Sequence, residues 1–63
     1  MQNRLKEIRE KKGLSVLELA HKSKVSRQTI YNIEKNAHAS VSVRVMVALC
    51  MALNSTLREI FFM

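Results

Sequence analysis

Apolar residues recur along the chain at helical spacing, and a polar cap precedes most runs of them. Leu5 and Ile8 lie three apart and share one face, with Arg4, Lys6, Glu7, Glu10, Lys11 and Lys12 around them. That pattern predicts an amphipathic helix over about residues 3–12, closed by Gly13. Ser15-Val16-Leu17-Glu18 has the form of a capping box, in which the serine oxygen accepts an early backbone N–H and the glutamate reaches back. A second helix over about 16–22 follows, with Leu19 and Ala20 inward. Ser26 then caps a third over about 27–35, with Ile30 and Ile33 inward. Two helices joined by so tight a turn cannot lie antiparallel and must cross at a large angle, with Val25 as the plug between them.

Beyond a loop from Asn36 to Val41, Ser42 caps a fourth helix over about 43–53, and Asn54 suits its left-handed exit. Val43, Met46, Leu49, Cys50 and Leu53 form the stripe this helix should bury. Thr56-Leu57-Arg58-Glu59 is a second capping box and opens a last helix over about 57–61, carrying Leu57, Ile60 and Phe61. The alternation Val41-Ser42-Val43-Arg44-Val45 is strand-like, but it runs directly into the helical pattern. The expected architecture is all-α: one domain over residues 1–63, built of five short helices with a helix-turn-helix at the second and third.

Charge and apolarity divide between the two halves. The net charge is +6; residues 1–35 hold nine Lys/Arg against four Glu, whereas residues 36–63 hold two against one. Hydrophobic residues run the other way, 12 in the front stretch and 18 in the shorter back one. A small basic domain attracts polyanions, and nucleic acid is the first candidate. No unbroken apolar run exceeds the nine residues Val45 to Leu53, which is short of a membrane span, and Met1-Gln2-Asn3-Arg4 lacks the apolar block of a secretory leader. A lone cysteine, Cys50, closes no intrachain disulfide and points to the cytoplasm. His21, His38 and Cys50 share no ligand spacing, so no metal or other cofactor is expected. With no Asp and no nucleophile–base pairing, catalysis is not expected either.

The chemistry concentrates on the third helix. Its inward isoleucines leave Arg27, Gln28, Tyr31, Asn32 and Lys35 on the outward side. Gln or Asn can pair with adenine through two hydrogen bonds, Arg can do so with guanine, and lysines suit phosphates. Lys24 and Lys35 flank the set.

The segments Leu14-Ser15, Leu19-Ala20, Val25-Ser26-Arg27-Gln28-Thr29-Ile30 and Ile33-Glu34 resemble the Cro/lambda-repressor-like helix-turn-helix regulators, the XRE family. Ala52 to Phe62 looks like the final helices of its short stand-alone members, so the likeness covers residues 4 to 62. It implies a domain that places its third helix in the major groove of double-stranded DNA and binds a two-fold operator as a homodimer. Carried over by position, base reading falls on Arg27, Gln28, Tyr31 and Asn32. Backbone contacts fall on Ser15 and on Lys35, Asn36 and His38, and an internal ion pair falls on Arg9 and Glu34; Lys24, Ser26 and Thr29, beside the outward set, are expected to add backbone contacts. The chain departs from the family pattern at Val16 (commonly Gln), at Lys24 and Asn36 (commonly Gly), and around Ser40-Val41 (commonly Asn-Pro).

The back half asks for a partner. Val45, Val47, Ala48 and Met51 lie off the expected stripe of the fourth helix, and Arg44 is the sole charge between Val43 and Leu53. A helix apolar all round is normally buried all round, which a chain this small achieves only by association. A homodimer seam is therefore expected from Val45, Met51, Phe61, Phe62 and Met63. The alternative is an antitoxin-type component whose apolar C-terminal half covers a second protein, with DNA autoregulation secondary.

Overall fold

A computed structural model describes residues 2–36 and 40–62. Its elements run β1 (Gln2–Asn3), α1 (Leu5–Lys11), α2 (Val16–Ser23), α3 (Arg27–Lys35), α4 (Val43–Ala52), α5 (Leu57–Ile60) and β2 (Phe61–Phe62). The all-helical class holds, with a two-residue antiparallel pairing of the chain ends added to it: Gln2 opposes Phe62 and Asn3 opposes Phe61.

Local chemistry sets the helix boundaries. Ser15, Ser26, Ser42 and Thr56 each accept a backbone N–H three residues on, from Glu18, Thr29, Val45 and Glu59. Glu18 and Glu59 complete capping boxes by accepting the N–H of Ser15 at 2.9 Å and of Thr56 at 2.7 Å. α1 and α4 close in the same way. The N–H of Gly13 donates to Glu10 O and that of Leu14 to Arg9 O; the N–H of Asn54 donates to Met51 O and that of Ser55 to Cys50 O. Gly13 (φ 73°) and Asn54 (φ 52°) occupy the left-handed position that this closure needs.

The first helix starts at Leu5 rather than near residue 3, because the residues before it are extended. Asn3 lies in β1, its Oδ1 accepts the N–H of Leu5 at 3.0 Å, and the N–H of Arg4 donates to Ile60 O at 2.7 Å. The last helix stops at Ile60 for the matching reason: Phe61 turns extended (φ −115°, ψ 129°) to pair with the N-terminal strand.

Every helix contributes to one core. Leu5, Leu19, Ile30, Leu49, Leu53 and Ile60 are fully buried, and Val16, Val25, Ile33, Cys50 and Phe61 complete the cluster. Burying an aliphatic side chain of this size stabilises by about 1.5–3 kcal/mol, so single truncations weigh heavily in so short a chain. The core packs α2 against both α3 and α4, with α1 against α3 and α5 against α4.

The back half departs from expectation at the start of α4 and along the expected subunit seam. Val43, expected inside, is 69% exposed: the buried side of α4 is centred on Leu49, Cys50 and Leu53, and Val43 begins the opposite ridge. Phe61, expected at a subunit seam, is only 4% exposed because its extended backbone turns it into the chain's own core. Val45 and Phe62, placed at the same seam, are half-buried: Val45 packs on the core, and Phe62 lies under the Arg4 guanidinium at 5.0 Å. Met63 lies outside the described residues.

Candidate nucleic-acid interface

The turn between α2 and α3 is built from backbone strain and one hydroxyl. Lys24 ends α2 in the left-handed conformation (φ 62°, ψ 21°), its N–H donating to Ala20 O at 2.8 Å. A lysine there lacks the freedom of glycine, a cost of about 1–2 kcal/mol. Ser23 holds the turn in place: its Oγ donates to Leu19 O at 2.7 Å and accepts the N–H of Val25 at 3.2 Å. Val25 is buried between the helices. Asn36, at the other usual glycine, has φ −119°, so the chain leaves α3 by an extended path that any residue can take.

α3 is locked on one side and open on the other. Ile30 and Ile33 are buried, whereas Arg27, Gln28, Tyr31, Asn32 and Lys35 are exposed, Tyr31 by 54%. Gln28 Nε2 donates to Asn32 Oδ1 at 3.2 Å, linking two side-chain amides across one helical turn. Gln28 keeps its carbonyl oxygen and a second amide proton for another partner.

The angle of α3 is fixed by Arg9 and Glu34. Arg9 Nε donates to Glu34 Oε2 at 2.7 Å and Nη2 to Oε1 at 3.2 Å, while Nη1 donates to Leu14 O at 2.7 Å. The hydrogen bond to Glu34 is the main influence raising the Arg9 pKa above its ordinary value; burial opposes it. Asn3 adds a second tether, its Nδ2 donating to Ile33 O at 3.1 Å. Sequence reading missed Asn3 and Ser23. The available signals were a small amide just before a helix and a serine just before a left-handed residue.

The remaining candidates divide. Ser15, Lys24, Ser26, Lys35 and Asn36 are exposed. Thr29 is half-buried, accepts a hydrogen bond from Ser26 Oγ at 2.9 Å, and borders a hollow shared with Arg44 and Val45. It lies on the α4 side, away from the outward set. His38 is outside the described residues. Val16 is buried in the core, so at this position the chain has a packing residue in place of a polar one. Cys50 is buried too, which pushes its thiol pKa up. Among the described residues no three His, Cys, Asp or Glu converge as metal ligands, and no helix is long and apolar enough to cross a membrane.

A tight-turned pair of crossing helices, the second locked inside and polar outside, defines a helix-turn-helix domain. The helix-turn-helix family model matches residues 5–60, and the chain belongs to that family, the Cro/lambda-repressor-like (XRE) regulators. The domain is thus of the DNA-binding, transcription-regulating type and not of a catalytic family. Comparison with curated proteins finds no match.

Proposed function

We propose that the protein is a cytoplasmic, sequence-specific repressor that binds a palindromic operator as a homodimer, with α3 in the major groove. The observation that carries this reading is the common exposure of Arg27, Gln28, Tyr31 and Asn32 on a helix whose opposite side is held by Ile30, Ile33 and the Arg9–Glu34 bridge. Gln28, steadied by Asn32, offers the donor and acceptor that match the N7 and N6 edge of adenine, and Arg27 suits guanine O6 and N7. Ser15, Lys24, Ser26, Lys35 and Asn36 then meet phosphates and set the register. Occupying a promoter in this way blocks its use. On the tightest duplex recovered from a random pool, Arg27→Ala and Gln28→Ala should alter site preference. Unchanged preference in both would refute base reading.

The homodimer reading rests on α4. Val43, Val47 and Met51 stand four residues apart in one exposed ridge, Met51 by 77%. This ridge replaces the expected seam except at Met51. A two-fold axis across it lets each copy cover the other's apolar face. Sedimentation of the purified protein should show a dimer that Met51→Asp converts to a folded monomer. The same ridge supports the second reading, an antitoxin-type component. That reading gains if the pure chain sediments as an unstable or aggregating monomer and a second, cognate protein rescues it.

A further inference from the structure

Between α1 and α3 the surface opens into a concavity of about 650 Å³. Gln28, Tyr31 and Lys35 border it from the outward side of α3, and Lys6 borders it from α1. Val16, at the first turn of α2, closes one end. The carboxylate in its wall, Glu34, is already neutralised by Arg9. Neither Lys6 nor Lys35 is in an ion pair among the described residues, so two free ammonium groups set the sign of the hollow. Gln28 and Tyr31 belong both to this concavity and to the outward set. Whatever fills it therefore lies alongside whatever α3 reads. For a duplex in that position, the neighbouring group is the sugar–phosphate strand that bounds the groove.

We propose that Lys6 is a DNA-backbone contact, neutralising one phosphate of the strand that passes this concavity while Lys35 neutralises the next. The inference rests on the DNA-binding reading above and deepens it, extending the footprint from the helix-turn-helix onto α1. Its signature is ionic, because each phosphate neutralised by a cation contributes about −0.9 to the slope of log K against log salt concentration. Over the decade from 1 M to 0.1 M salt, that slope amounts to about an eightfold gain per contact.

The test measures salt dependence on the tightest duplex recovered from a random pool, for the wild type and for Lys6→Ala, Lys6→Arg and Lys11→Ala. Lys11 lies on the same helix, exposed, and does not border the concavity. Circular dichroism of each variant checks that the fold is kept. Lys6→Ala should flatten the slope by about 0.9 for each bound protomer. Lys6→Arg should keep the wild-type slope, and Lys11→Ala should leave it unchanged. If Lys6→Ala and Lys11→Ala change the slope equally, or if Lys6→Arg behaves as alanine does, the contact is refuted while the DNA-binding reading stands. If the wild type binds no duplex, both fall together.

Discussion

Replacing Glu34 by alanine should unfold the domain before it alters any preference for DNA. The bridge to Arg9 joins side chains that are only 10% and 7% exposed, through bonds of 2.7 and 3.2 Å. Removing the carboxylate takes away two of the three bonds that Arg9 makes and leaves its charge facing the carbonyl of Leu14 alone. Stranding one member of a buried pair in this way costs about 3–5 kcal/mol. A chain of this length has a total stability of about 3–9 kcal/mol, so Glu34→Ala removes most of it. Glu34→Gln keeps an acceptor for Arg9 but not the charge, and should cost about 1.5–3 kcal/mol. Replacing both partners together, Arg9→Met with Glu34→Met, removes the stranded charge and should bring stability back to within about 2 kcal/mol of wild type. Urea titration followed by circular dichroism at the helical band reads all three. A loss below about 1 kcal/mol for Glu34→Ala would show that the bridge behaves like an exposed surface pair, and the account of how α3 is held would fail.

The strained turn and the caps give two further expectations. Lys24→Gly relieves the left-handed strain at the end of α2, offset in part by the greater freedom of glycine when unfolded. It should raise stability by about 0.5–1 kcal/mol in thermal melts while weakening duplex binding in gel shifts, because it deletes a proposed phosphate contact. Stability lost, or affinity unchanged, would contradict one half of that expectation. The capping carboxylates of Glu18 and Glu59 sit below the usual glutamate range, chiefly because each accepts its cap residue's backbone N–H. Their contribution is therefore fully present above the ordinary glutamate pKa and is lost as pH falls through the lowered value. Glu18→Gln should lower the melting temperature at pH 7 and converge with wild type in strong acid, and a difference that persists there would show that charge plays no part in the cap.

The caps made most of the fold readable in advance. Ser15, Ser26, Ser42 and Thr56 state where helices begin because a hydroxyl that satisfies a free backbone N–H does so at a fixed offset. Gly13 and Asn54 state where two end. The exposed set on α3 follows from Ile30 and Ile33, since helical geometry leaves no choice about which side is outward. The chain ends were not readable. Phe61 looks like a continuation of its helix until its backbone finds Asn3, a contact across nearly the whole sequence that no local pattern encodes. The inward stripe of α4 was readable at Met46, Leu49, Cys50 and Leu53 and failed at Val43, where the first turn is apolar on nearly every side and periodicity cannot place the edge of the face. Val16 was likewise read against a family habit when its apolar side chain already pointed to the core.

Selection of bound duplexes from a random-sequence pool, using the wild-type chain, bears most directly on the central claim that paired copies of α3 read base edges. A consensus of two inverted half-sites is the predicted outcome, with the symmetry reporting the dimer and the conserved positions reporting Arg27, Gln28, Tyr31 and Asn32. Recovery of no enriched sequence, or of a single unpaired half-site, would contradict it.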